Sequence, residues 1–89
     1  MLRITHTSKG SSDITLKLEG KVESDWVPLV REECLRILKE KKGVWLDCSD
    51  VTFVDDRGVE MLKGMAREGV RLLNCSPLVE SLLQEEGES

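Results

Sequence analysis

One segment constrains the fold of this chain more than any other. Residues 44–59 read V-W-L-D-C-S-D-V-T-F-V-D-D-R-G-V. The first five form an apolar run broken only by Asp47, which predicts a buried central strand. Apolar residues then recur at helical spacing after Asp55 and Asp56, which predicts a helix that begins at this pair. A buried strand that enters a helix through an acidic corner is suited to presenting charge to a partner.

The other strands follow from residue alternation. Leu2 and Ile4 alternate with polar residues and predict a short first strand. Residues 14–22 alternate more regularly, so one face of this second strand is predicted to be buried while the other meets water. The turn-rich residues 8–13 between them favour an antiparallel hairpin. A fourth strand is predicted at residues 70–75.

Three helices are predicted from apolar stripes and from start signals. For the first, Ser24 or Asp25 is expected to supply the N-cap, and Pro28 falls in the first turn, where it is tolerated. Gly69 is expected to stop the second helix. The predicted ranges extend to Gly43 for the first helix and from Asp56 to Glu68 for the second. For the third helix, Ser76 is expected to supply the N-cap, Pro77 lies in the first turn, and the apolar face runs to Leu83.

This order of elements predicts an α/β fold. We expect a singly wound mixed sheet of about four strands, the N-terminal strand antiparallel and the rest parallel, with three helices on one face. The polar face of strand 14–22 would remain open, and Trp45 would point toward it, which indicates a contact surface. Residues 1–84 are expected to form a single domain, followed by a flexible acidic tail over 85–89.

Composition argues against several classes of partner. The 89-residue chain has a net charge of −4, which disfavours nucleic acid. The basic cluster at Lys39, Lys41 and Lys42 falls where the first helix should end, and cations there complement the helix dipole. Because no apolar run reaches membrane-spanning length and no leader-like segment follows Met1, we expect a cytoplasmic protein without membrane insertion.

The reactive side chains do not form a recognisable catalytic set. There is no Ser–His–Asp order and no glycine-rich phosphate loop, and the adjacent Asp55 and Asp56 should diverge around the helix start. The odd number of cysteines without a C-x-x-C motif predicts free, mostly buried thiols. His6 is the one histidine, and Cys48 and Cys75, which could lie on neighbouring strands, would make a poor zinc site by themselves. We therefore expect no catalytic residue, no metal and no cofactor. The histidine and the three cysteines considered as metal ligands are His6, Cys34, Cys48 and Cys75.

Three blocks of the sequence carry a family resemblance. The second strand ends in E-G-K-V-E, with Gly20, Val22 and Glu23 in the places of a Gly-x-Leu-Asp turn. Residues 44–59 match a family pattern of an apolar strand followed by Asp-Leu-Ser and then by Asp-Ser-Ser-Gly-Leu at a corner. Residues 70–83 match the next strand and helix of the same pattern. From about Ile14 to Leu83 the chain thus resembles the STAS domain, the fold of bacterial anti-sigma-factor antagonists and of sulphate-transporter tails.

The chain departs from the family pattern at the corner. The resemblance implies a serine that docks on a kinase or anti-sigma factor and releases it when phosphorylated, but this place is taken by Asp56, followed by Arg57. An aspartate carries a charge of about −1, whereas phosphoserine carries about −1.5 to −2. The usual phosphoserine switch is therefore expected to be absent, and Arg57 offsets the charge of Asp56. The sequence is also about one strand and one helix shorter than the longer family members.

The leading hypothesis is a non-catalytic interaction module. It would dock on an anti-sigma factor or related serine kinase through the corner at the start of the second helix. Capping alone also explains Asp55 and Asp56, and Gly58 would permit close approach of either a partner or a neighbouring strand. Ser49 and Thr52 are expected mainly to satisfy turn backbone, and replacement of the lost phosphosite by one of the hydroxyls of Ser24, Ser49 and Thr52 is a further hypothesis. The predicted partner-binding residues are Glu23, Ser24, Asp25, Asp55, Asp56, Arg57 and Gly58.

Two other functions are compatible with the same sequence. The resemblance also extends to small STAS subunits that brace the ATPase of bacterial phospholipid-transport complexes. A third possibility is a domain that works inside a larger signalling assembly. The sequence does not separate these alternatives.

Overall fold

The structure, a computed structural model, describes residues 2–8 and 12–85. Four strands and three helices alternate along the chain, with only the first two strands adjacent in sequence. The elements are β1 Leu2–Ser8, β2 Asp13–Val22, α1 Trp26–Lys39, β3 Gly43–Val54, α2 Asp56–Arg67, β4 Arg71–Leu73 and α3 Pro77–Glu85.

The sheet has the predicted topology. Its strands lie in the order β1-β2-β3-β4, with β1 antiparallel to β2 and the other neighbours parallel. Each parallel strand lies beside its predecessor, and right-handed crossovers between such strands place their helices on one face. The predicted singly wound mixed sheet with three helices is therefore confirmed.

The core lies between the two central strands and the helices. The largest fully buried side chains come from β2, β3, α1 and α2, which makes the hairpin partner β1 a peripheral strand. Burying an aliphatic side chain of this size stabilises a fold by about 1.5–3 kcal/mol. These side chains are Leu16, Leu18, Val22, Val30, Cys34, Ile37, Val44, Leu46, Cys48 and Leu62.

Strand β3 is longer than the sequence predicted. It runs from Gly43 to Val54, so Ser49 and Thr52 lie within a strand and the prediction that they belong to a turn is wrong. The pairing with β2 shifts register twice, and each shift inserts an extra residue into β3. These β-bulges interrupt the period of two, because the inward positions move from Val44, Leu46 and Cys48 to Val51 and Val54. In the sequence, this change of alternation after Cys48 looked like the end of the strand, so the predicted strand was too short.

A local hydrogen bond stabilises the first bulge. Asp47 Oδ1 accepts from the backbone N–H of Ser49 at 3.0 Å and from Asn74 Nδ2 at 3.2 Å. The Ser49 bond is the main reason that the pKa of Asp47 lies below its usual value. The carboxylate that broke the apolar run in the sequence thus ties β3 to the end of β4.

The remaining boundaries agree with the predictions at some ends and differ at others. Strand β1 extends to Ser8, whereas β4 is shortened to three residues. The predicted N-cap of α3 is confirmed, since Ser76 Oγ accepts from the N–H of Val79 at 3.2 Å. Gly69, with φ of +104°, follows the end of α2 as predicted. Helix α3 includes Glu85, the first residue of the predicted tail, while residues 86–89 and turn residues 9–11 lie outside the described residues.

The open face of the sheet is more covered than predicted. Trp45 is half-buried, and the guanidinium carbon of Arg71 lies 5.2 Å from the centroid of its ring, within the range of a cation–π contact. Thr15, which alternation had predicted to face water, is only 7% exposed and pairs in register with Trp45. The indole thus has neighbours within its own sheet.

Candidate functional site

The two predicted groups of site residues meet at one corner of the molecule. Asp55 lies at the N-cap of α2, where its Oδ1 accepts from the N–H of Gly58 at 2.7 Å. Its Oδ2 accepts from the N–H of Ser24 at 2.9 Å, across 31 positions of sequence. One carboxylate therefore joins the β3–α2 connection to the β2–α1 connection. We call residues 23–25 and 55–58 the acidic corner.

The hydrogen bonds of Asp55 favour its charged form. The N–H of Ser24 is the largest influence that lowers the pKa of this carboxyl, and the N–H of Gly58 adds to it, while partial desolvation opposes both. The start of α2 also favours negative charge through its dipole. Asp55 is consequently an ionised structural link, and the capping interpretation is confirmed for this residue.

Gly58 allows α2 to approach the sheet closely. A Cβ at this position would lie 2.6 Å from the carbonyl oxygen of Val22 and 2.7 Å from Val54 Cγ1. The same Val22 carbonyl accepts from the N–H of Asp55 at 3.1 Å. Of the two predicted roles for Gly58, the structure supports close approach to neighbouring strands; contact with a partner there stays a prediction.

Asp56 differs from Asp55 in its surroundings. It is exposed in the first turn of α2, and its carboxylate forms no hydrogen bond or ion pair with the described residues. Arg57 beside it is also exposed, as are Ser24 and Asp25, while Glu23 is half-buried. Of the two adjacent carboxylates at the start of α2, one is therefore used internally and the other faces outward.

The predicted N-cap of α1 is wrong. Asp25 occupies the N-cap position, but with φ −68° and ψ −16° it is already helical, and its side chain makes no capping hydrogen bond. Ser24 has φ of +50°, and its carbonyl accepts from the N–H of Val27 at 3.2 Å. A side-chain cap normally requires an extended N-cap residue, and this turn does not provide one.

This geometry makes Asp25→Ala nearly neutral for stability. We expect the free energy of unfolding to change by less than about 0.5 kcal/mol in urea denaturation, as for ordinary surface positions. Ser76→Ala is the matched control, because loss of a functioning N-cap costs about 1 kcal/mol. Equal losses from both substitutions would show that Asp25 caps α1 after all.

The thiols and the histidine lie away from the corner. Cys34 and Cys48 are buried, and desolvation raises the pKa of each to about 12. Cys75 lies close enough to Cys48 for each thiol to influence the pKa of the other. His6 Nε2 lies 3.0 Å from Glu33 Oε2. Within the described part of the chain, no three metal-ligating side chains come together, and no helix has the length and apolar character to cross a membrane.

A groove adjoins the acidic corner that the sequence analysis did not identify. It encloses about 440 Å³ between the end of β3 and α3, and we call it the edge groove. Phe53, one of its lining residues, is 46% exposed. An apolar pair directly before the acidic corner was the available sequence signal. The lining residues are Val51, Thr52, Phe53, Val54, Asp55, Asp56, Ser76, Val79 and Leu82.

The fold defines a class of small mixed α/β domain, and the comparisons identify its family. The model of the STAS domain matches residues 5–87. The chain belongs to the STAS domain family, which confirms the resemblance found in the three sequence blocks. No curated protein matches the chain.

Solved structures agree in fold. The anti-sigma factor antagonist SpoIIAA in its unphosphorylated form is 19% identical, with a TM-score of 0.77 over 92% of this chain and 82% of that one. An anti-sigma factor antagonist from Mycobacterium paratuberculosis is 12% identical, with a TM-score of 0.82 over 99% and 80%. A STAS domain from Rhodobacter sphaeroides is 22% identical, with a TM-score of 0.58 over 82% and 86%. Identities this low show the shared fold alone.

Proposed function

We propose that this STAS domain is a non-catalytic interaction module that docks on an anti-sigma factor or related serine kinase through the acidic corner. Asp56 would occupy the place of the family's phosphorylatable serine. The observation that supports the proposal is that the adjacent carboxylates of Asp55 and Asp56 have different surroundings. Asp55 accepts hydrogen bonds from the N–H groups of Ser24 and Gly58, whereas Asp56 is exposed and forms no hydrogen bond or ion pair within the described part of the chain.

The corner is arranged to present Asp56 with little loss of conformational freedom on binding. Asp55 fixes the first turn of α2 to Ser24, and Gly58 allows the same turn to pack against Val22 and Val54. A surface already held in one conformation loses less entropy when a partner binds. Docking would therefore use a fixed carboxylate at a rigid helix start.

The charge of Asp56 would make this docking constitutive. A carboxylate of about −1 charge has neither the second charge nor the three acceptor oxygens of a phosphate, and kinase activity does not switch it on or off. Because Asp56 is exposed, its contribution should weaken with salt, with a screening length of about 8 Å at physiological ionic strength. Arg57 reduces the net charge that a partner meets.

The test is charge reversal at the presented carboxylate. Asp56→Lys is expected to weaken binding to the anti-sigma factor or serine kinase of the source organism by about tenfold or more in isothermal titration calorimetry, equivalent to about 1.4 kcal/mol. Glu68→Lys is the matched control, because Glu68 is exposed beyond the other end of α2. Circular dichroism should show both variants folded.

Several outcomes discriminate between the alternatives. Equal affinity of wild type, Asp56→Lys and Glu68→Lys would contradict docking through the acidic corner. Binding to a phospholipid-transport ATPase, and to no kinase or anti-sigma factor, would favour the structural-subunit alternative. Incubation of Asp56→Ser with the kinase and ATP should add the mass of one phosphate. The same addition to wild type would support a replacement phosphosite, and alanine substitution of Ser24, Ser49 and Thr52 in turn would then show whether one of them carries it.

A further inference from the structure

We propose that the edge groove binds an extended basic peptide by adding it as a strand beside β3. The starting point is the pairing of the sheet. Strand β4 pairs with β3 only from Trp45 to Asp47. Among the described residues, the rest of that edge, from Cys48 to Val54, has no strand partner. An unpaired edge presents backbone N–H and C=O groups that favour the addition of another strand.

The free edge has the length of an ordinary strand. Residues 48–54 extend over roughly 20 Å at about 3.3 Å per residue, enough for five or six peptide residues. The register shifts of β3 bend this part of the strand. Bent and bulged edges discourage continuous stacking of many strands, which favours one short ligand.

The lining of the edge groove determines the chemistry of that ligand. Its walls carry apolar side chains from both sides, with Val51 from β3 and Val79 and Leu82 from α3. Its charged lining residues, Asp55 and Asp56, are both acidic. A peptide that alternates apolar residues with lysine or arginine would place one set against the walls and the other near the carboxylates. Alternation suits a strand, because successive side chains point to opposite faces.

Charge also favours a partner peptide over a second copy of this chain. Two copies that paired along β3 would bring together molecules that each carry a net charge of −4 and acidic grooves. A basic segment is attracted to the same surface. The inference does not depend on the proposed kinase or anti-sigma factor, because the edge groove requires only an extended peptide of this composition.

The direct test is a titration of the isotopically labelled protein with a blocked synthetic peptide of sequence Lys-Val-Lys-Leu-Lys-Val-Lys. We expect saturable NMR shifts confined to the amides of residues 48–56 and 76–82. A peptide with glutamate in place of lysine should bind about tenfold more weakly or less. A peptide N-methylated at alternate residues should lose binding, because methylation removes the N–H groups that a strand ladder needs.

Substitutions in the groove separate specific binding from general attraction. Leu82→Lys should abolish the shifts, and Leu29→Lys, on α1 at a side chain that is 50% exposed, is the matched control. If Leu82→Lys fails to fold, Thr52→Lys tests the groove at an exposed lining side chain. Equal binding of the N-methylated peptide, shifts spread over the whole surface, or a concentration-dependent dimer that occupies the β3 edge would each overturn the proposal. Because Asp56 lines the edge groove, Asp56→Lys should weaken peptide binding as well, and unchanged peptide affinity in this variant would contradict the role given to the carboxylates. A Leu82→Lys protein that loses the peptide but still binds the kinase or anti-sigma factor would show that the two proposals concern separate contacts.

Discussion

Replacing Gly58 with alanine is expected to lower the free energy of unfolding by about 2 kcal/mol. The added methyl group would lie 2.6 Å from the Val22 carbonyl oxygen and 2.7 Å from Val54 Cγ1, so the first turn of α2 must move away from the sheet. Forcing an extra methyl into a packed site typically costs about 1–3 kcal/mol, partly offset here by the higher helix propensity of alanine. For a domain of this size, the melting temperature should fall by roughly 8–16 °C.

The same helix contains the control for this experiment. A Cβ at Gly64 would meet no atom within 4 Å, so Gly64→Ala should gain the propensity difference, about 0.5–1 kcal/mol. Urea denaturation of both variants therefore measures opposite changes from one chemical substitution in one helix. A stable Gly58→Ala protein with an unchanged melting temperature would show that α2 does not pack against the sheet as described.

Removing the Asp55 side chain is expected to have an effect of comparable size. Asp55→Ala should lower the free energy of unfolding by about 2 kcal/mol at neutral pH, the top of the range for an N-cap, because it also loses the bond to Ser24. Asp55→Asn keeps an oxygen that can cap α2 but loses the charge. It should therefore retain more stability than the alanine variant.

The pH dependence identifies the carboxylate as the source of this stability. Hydrogen bonds from Ser24 and Gly58 hold the pKa of Asp55 below its ordinary 3.8 in the folded state. Its contribution is therefore full above that value and is lost as the pH falls through the lower folded pKa. The stability difference between wild type and Asp55→Ala should narrow over this acidic range. A difference that stays constant on acidification would contradict a structural role for the charge.

These experiments separate the residues that build the acidic corner from the residue proposed to use it. Variants of Gly58 and Asp55 should change stability, because both side-chain positions face the protein. Asp56→Lys should change partner binding with little effect on folding beyond an unfavourable charge at the helix start. If Asp56 only capped the helix, Asp56→Lys would lower stability and leave partner binding unchanged.

The sequence by itself determined the features that depend on neighbours along the chain. The period of two in β2 and the helical period after Asp56 record which face of each element is buried. The caps at Asp55 and Ser76 were predictable because each bonds an N–H three residues ahead. The order of these elements was enough to predict a singly wound mixed sheet.

Tertiary structure decided the features that join distant parts of the chain. The bond between Asp55 and Ser24 spans 31 positions, and it forms in the same turn where Asp25 fails to cap α1. The bulges of β3 depend on its pairing with β2, and the edge groove exists because α3 lies beside an edge that β4 does not cover. Residue spacing encodes local geometry, whereas these contacts form only when the sheet brings separate segments together.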